Sequence, residues 1–182
     1  MAIHGMIDIE TLDVKPTAVV LSVGAYKFDP YTSNSPYDMF YHKILIDDQD
    51  ALNRTIGETT MEWWSKQDPV ILEEAMDQTD GVTVMEFTKE LRKWLVGVDK
   101  LWGHGYGFDY TIIENMFNSV DAHAPWSVYD IRDSRTLFTM MPSDPRTPMQ
   151  QNLHKASDDA YYQAKAVQIT YDYLMGKGIT PR

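Results

Sequence analysis

Four carboxylates and one imidazole stand where this chain could gather metal ions. Asp8 and Glu10 lie in the run Asp8-Ile9-Glu10-Thr11, Asp109 follows Phe108, and His154 and Asp159 bracket His154-Lys155-Ala156-Ser157-Asp158-Asp159. Hard oxygen ligands with one imidazole suit two divalent cations and a water nucleophile, the chemistry of a metal-dependent nuclease. Side chains alternate along a strand, so Asp8 and Glu10 share a face about 7 Å apart. They follow the apolar Met6-Ile7 and so begin inside a core-forming strand, where unpaired carboxylates are costly. Each group alone has an ordinary explanation. An Asp-x-Glu pair can mark a strand end, Asp109 can favour a helix dipole, and Ser157, Asp158 and Asp159 can cap a helix. Asp158 is assigned to capping; the order and combination of the others carry the reading.

The elements that must position these groups can be read from periodicity. Short apolar or alternating runs separated by turn residues predict antiparallel strands over 3–9, 18–26 and 37–45, with a clear turn at Asp29-Pro30 to Ser35-Pro36. Helices follow over 59–67 and 83–96, then a strand over 100–104, a helix over 108–118 and a strand over 126–129. The last helix, 157–175, carries Ala160, Ala164, Val167, Tyr171 and Leu174 as one stripe, with Gly176 as its stop. Three meandering strands followed by alternating helices and strands predict an α/β domain, a mixed sheet of about five strands covered by helices. Asp109 is expected near a helix start, its glycine-rich approach Gly103, Gly105 and Gly107 allowing close backbone contact while Phe108 anchors the turn.

Composition narrows the setting. The chain has 182 residues, 43% of them hydrophobic, with no repeat or linker, and reads as one domain over 1–182. It has no cysteine, which excludes disulfides, thiolate metal sites and a cysteine nucleophile. There is no signal peptide pattern and no membrane-length apolar run, so a soluble, cytoplasmic protein is expected, with no membrane partner. The formal charge of −11 opposes broad electrostatic capture of a polyanion, so a nucleic acid should be held locally.

Asp-x-Glu, then Asp, then His-x-x-x-x-Asp resembles the DEDDh branch of the DEDD 3′-5′ exonucleases, relatives of polymerase proofreading subunits, ribonuclease T and oligoribonuclease. The likeness runs from Asp8 to Asp159. Within that family, Trp102-Gly103-His104-Gly105 before Phe108-Asp109, the pair Trp63-Trp64, and Asp133-Ser134-Arg135-Thr136-Leu137 look most like the DexA-type phage and bacterial exonucleases and the Rv2179c-like exoribonucleases. The commoner pattern places asparagine before Phe-Asp, where this chain has His104 and Gly105.

The resemblance implies a ribonuclease-H-like fold and a bacterial cytoplasmic or phage-encoded enzyme. It also implies two Mg2+ or Mn2+ ions held by Asp8, Glu10, Asp109 and Asp159, with Asp8 bridging and His154 as general base. Substrates would be single-stranded DNA or RNA 3′ ends and short oligonucleotides, giving nucleoside 5′-monophosphates. Thr11, Leu12, Phe108 and His104 would contact the terminal nucleotide. Homo-oligomer formation stays open.

Other residues receive plainer readings. One of Trp63 and Trp64 should enter the core, Asp47, Asp48 and Asp50 should form a solvated loop, and Arg135 is either a phosphate contact or a structural ion-pair partner, the second favoured for want of a neighbouring basic patch. Two rival functions use the same framework. One is a catalytically weak nuclease-fold binding protein, against which the intact ligands and His154 argue; the other is a metal-dependent nucleotide phosphohydrolase, which needs a closed pocket.

Overall fold

The computed structural model describes residues 2–105, 107–149 and 154–180. Its centre is a mixed five-stranded sheet, as the strand pattern predicted, and the strands lie in the order β3-β2-β1-β4-β5. Strands β1 (His4–Thr11), β2 (Val20–Phe28) and β3 (Tyr37–Lys43) form the antiparallel meander, while β4 (Lys100–Gly103) and β5 (Ile131–Asp133) run parallel to β1.

The two-residue period of β1 sorts the core into layers. Ile7 and Ile9 face a cluster that includes Phe87 and Leu91 of α4 (Val84–Trp94) and Ile112, Ile113 and Met116 of α5 (Asp109–Ser119). Met6 faces the other way, into a cluster with Trp102, Ala160, Ala164, Val167 and Tyr171. The last four belong to α7 (Ala156–Gly176), the long helix whose small, buried stripe lets it lie against β1 and β2. A capping box between Thr83 and Glu86 starts α4, whose Val84, Phe87 and Leu91 are fully buried, with Leu95 half-buried just beyond its end.

Two readings are corrected. The last strand is Ile131–Asp133, not 126–129: Trp126 is drawn edge-on against Tyr110 and Phe117 of α5, and Val128–Asp130 forms a 3-10 turn capped by Ser127. Its apolar character reflects packing rather than pleating. The acidic segment holding Asp47, Asp48 and Asp50 is the helix α1 (Ile46–Ala51), not a solvated loop. Its Gln49 is buried and exchanges two 2.8 Å hydrogen bonds with the backbone of Val20, and Asp48 accepts the Val84 N–H at 2.8 Å.

Three further helices complete the order: α2 (Glu58–Trp64), predicted over 59–67, and α3 (Pro69–Met76) and α6 (Ser134–Phe138), which no periodicity announced. Asp68 caps α3, with proline at its first position. Among the described residues, no helix is long and apolar enough to cross a membrane.

Gly24 determines how deeply α7 sits. A Cβ there would lie 2.3 Å from the backbone of both Ala156 and Ser157, so the first turn of α7 rests directly on β2 where Gly24 pairs with Asp8. Gly24→Ala should therefore displace that turn and cost roughly 1–3 kcal/mol by overpacking, a fall in Tm of about 2–12 °C for a chain of this length. Thermal melting checks this against Gly176→Ala, whose added methyl meets nothing within 4 Å and should leave Tm unchanged or higher.

Candidate active site

The site forms where β1 and β4 end. Asp8 and Glu10 alternate with Ile7 and Ile9 and therefore face α7, as the strand period demanded. Gln163 of α7 donates from Nε2 to Asp8 Oδ1 at 2.8 Å. One helical turn earlier on the same helix, Asp159 accepts the backbone N–H of His154 at 3.0 Å, so this carboxylate also satisfies a donor at the helix entrance. His154 has a left-handed backbone, φ 73°, and its ring meets the edge of Trp63 with centroids 4.8 Å apart.

Asp109 opens α5 and is 4% exposed. It reaches the strand ends because Gly103 has no side chain: a Cβ there would lie 2.9 Å from Asp109 Oδ2. Of the three glycines expected to permit close approach, Gly103 does so against Asp109, Gly105 has φ 140°, and Gly107 faces open space. Tyr106 of this turn and residues 150–153 before His154 lie outside the described residues.

Burial and proximity disturb all four carboxyls. Burial raises Asp8 well above the usual range, and Asp109, Glu10 and Asp159 push it further; the Gln163 hydrogen bond opposes them. Glu10 is pushed up to about 8 by burial and then by Asp159 and Asp109. Asp109 rises to about 7 through burial, against backbone hydrogen bonds from its own N–H and that of His104. Asp159 also rises through burial, opposed by the His154 N–H.

Among the described residues, no Lys or Arg forms an ion pair with any of the four. One ligand atom each from Glu10, His154 and Asp159 lies within 4.8 Å of the others. The arrangement therefore has the donors of a cation site without a directly paired counter-charge, and although Arg135 and Arg146 oppose the rise at Asp109 and Asp159, all four carboxyls stay raised, so protons or bound cations must relieve them.

A cavity of about 840 Å³ adjoins these groups, lined in part by Glu10, Thr11, Lys15, Trp63 and Phe108. The predicted contacts divide here. Thr11 and Phe108 border the cavity. Leu12 is 3% exposed and packs with Val19, Leu21 and Trp64, so it presents its side chain to the core. His104 lies outside that lining, between Ser134 and Arg146, with its pKa lowered to about 4 first by burial and then by Arg146 and Arg135. Trp64 is the core member of the tryptophan pair and donates to the Thr11 carbonyl at 2.9 Å, while Trp63 stays 41% exposed.

Residues 3–171 match the family model described as the 3′-5′ exoribonuclease Rv2179c-like domain. No curated protein sequence matches the chain. Among solved structures, the zinc-bound complex of E. coli ExoI with ssDNA is 15% identical, with TM-score 0.68 over 97% of this chain and 43% of that one. E. coli Exonuclease I with a dT13 oligonucleotide gives 15% identity and TM-score 0.64 over 96% and 44%. The nuclease domain of 3′hExo, a DEDDh family member bound to rAMP, gives 14% and 0.62 over 99% and 94%. These likenesses show the ribonuclease-H-like fold, and the chain spans less than half the length of Exonuclease I.

The raised carboxyl pKa values set a sign for stability. The unfolded chain loses these protons near pH 4, whereas the metal-free folded chain keeps some until about pH 7–8. Their contribution is complete below the unfolded values and is lost as pH rises through the folded ones. In chelator, Asp8→Asn should therefore gain Tm over wild type progressively from pH 5 to pH 8. Melting curves across that range check it; a gap independent of pH contradicts it.

Proposed function

The chain belongs to the Rv2179c-like family of 3′-5′ exoribonuclease domains, and from that premise we propose that it hydrolyses single-stranded nucleic-acid 3′ ends, releasing nucleoside 5′-monophosphates. The whole of 1–182 acts as one exonuclease domain. The observation that carries the reading is the meeting of Asp8, Glu10, Asp109 and Asp159 at the strand ends beside His154. An all-oxygen set with one imidazole, repelling itself and forming no ion pair with Lys or Arg among the described residues, fits two hard divalent ions, Mg2+ or Mn2+. When bound, those ions lower the pKa of the attacking water and offset charge on the phosphate.

The chain's own groups divide the remaining work. Asp8, which feels the other three carboxylates, would hold the ions together with Glu10, Asp109 and Asp159, and Gln163 keeps one of its oxygens oriented. His154 accepts the proton of the attacking water, its ring braced by Trp63 and its backbone tied to Asp159. Thr11, Trp63 and Phe108 offer the terminal nucleoside a largely apolar wall, with Leu12 supporting that wall from the core. The cavity opens to solvent, which favours the end of a strand over a free nucleotide enclosed on all sides.

The test is incubation of 5′-labelled RNA and DNA oligonucleotides with Mg2+ or Mn2+. Products should shorten stepwise from the 3′ end, and closed circular duplex should survive. Asp8→Ala and Asp159→Ala should each remove cleavage while the protein stays folded; full activity in either excludes that residue from the metal set.

His154→Ala should slow turnover about 10²- to 10⁴-fold with Mn2+ affinity retained. Near-normal turnover would end the general-base assignment, and a large loss of Mn2+ affinity would make His154 a ligand.

A further inference from the structure

His104 anchors two arginines at once. Its carbonyl accepts from Arg135 at 3.0 Å, and its Nε2 lies 2.9 Å from Arg146. A guanidinium can only donate, so Nε2 is the acceptor and the ring proton sits on Nδ1, where it points to Ser134 Oγ at 3.0 Å. Ser134 in turn donates to the Gly103 carbonyl at 3.0 Å, so the chain of bonds ends on β4, beside Asp109. Arg146 is held further by Asp144, at 2.7 Å from NH2, and lies over the Phe138 ring at 5.8 Å. The two guanidinium groups therefore border one hollow of about 270 Å³, with Ser143 and Thr139 beside them.

The hollow shares no lining residue with the cavity that holds Thr11, Trp63 and Phe108. Both adjoin the acids: Arg135 is close enough to Asp109, and Arg146 to Asp159, to hold those carboxyls down against their upward shifts. Among the described residues, Asp144 and His104 occupy three of the five Arg146 N–H groups, leaving two, and the His104 carbonyl takes one from Arg135. Planar N–H forks held side by side on a protein of net charge −11 match the oxygens of a phosphate. Asp144 is paired with Arg146 and Asp133 lies near Arg135, so what the two arginines offer a phosphate is their N–H groups rather than a net positive charge.

Resting on the nuclease reading above, we propose that Arg135 and Arg146 form a phosphate subsite that grips one phosphodiester of the substrate strand on the 5′ side of the cleaved bond. His104 is then a positioning residue for the pair rather than a contact to the terminal nucleotide. A strand crossing the acids would place its last nucleoside against Trp63 and Phe108 and an upstream phosphate in the hollow. On a surface with so few cations, this subsite would hold the strand in line with the acids.

The experiment measures binding, so it does not depend on cleavage. Oligonucleotides labelled at the 5′ end, with one linkage at a time replaced by uncharged methylphosphonate, are titrated with the full chain in Ca2+ by fluorescence anisotropy. Wild type should lose about 10-fold in affinity at one linkage upstream of the terminal one, the size expected for a charge-assisted contact. Arg135→Gln and Arg146→Gln should each bind the unmodified strand about 10-fold more weakly and show less than about a 2-fold methylphosphonate effect at that same linkage.

Arg135 is exposed and replaceable without disturbing the core, so it keeps the test valid if Arg146→Gln melts early. Methylphosphonate losses that are equal in wild type and variants at every linkage, or variants that bind as tightly as wild type, overturn the subsite. If the coupling is present but no 3′ shortening occurs in Mg2+ or Mn2+, the nuclease reading fails and the subsite stands.

Discussion

Burying like charges beside one another is the demand on which this architecture turns. Asp8, Glu10, Asp109 and Asp159 repel each other in a partly dehydrated setting, and desolvation is the first cause of every upward shift among them. The donors that reach them are neutral: the Gln163 amide and the backbone N–H groups of His154 and His104. Such donors orient a carboxylate without cancelling its charge. A set of this kind is stable only with protons or cations added, which is why metal binding and proton release should be the same event.

Holding the acids together requires backbone approach that side chains would prevent. Gly24 lets the first turn of α7 touch β2 directly opposite Asp8, and Gly103 leaves the space into which Asp109 turns. The register of β1 against β2 shifts between Glu10 and Thr11, and Gln49 supplies hydrogen bonds to Val20 where the ladder is irregular. Trp64 then fixes the Thr11 carbonyl next to that irregularity. Bulky apolar layers on both faces of the sheet supply the stability against which this local cost is set.

Much of this was legible because it depends on local period and residue type. The two-residue alternation of β1 places Asp8 and Glu10 on one face, and the small-residue stripe of α7 declares its buried side. Other features depend on partners distant in sequence. Nothing near Gly24 indicates that Ala156 and Ser157 will return against it, and nothing near Arg146 links it to His104. Gln163 could have been found, since it lies four residues after Asp159 on a helix and must share its face. Trp126 misled because an aromatic packed on α5 resembles part of a strand. Asp47, Asp48 and Asp50 misled because the buried Gln49 between them, which ties α1 to β2, has no apolar signature.

The most direct measurement of the central claim is calorimetric titration of Mn2+ into the metal-free chain at pH 7.5, repeated in two buffers of different ionisation enthalpy. If the four carboxylates form a metal site that otherwise retains protons, the apparent binding heat will differ between buffers by the release of at least about one proton per chain, and Asp8→Asn will reduce both binding and release. Saturable binding with no buffer dependence, or Mn2+ affinity unchanged in Asp8→Asn, would contradict it.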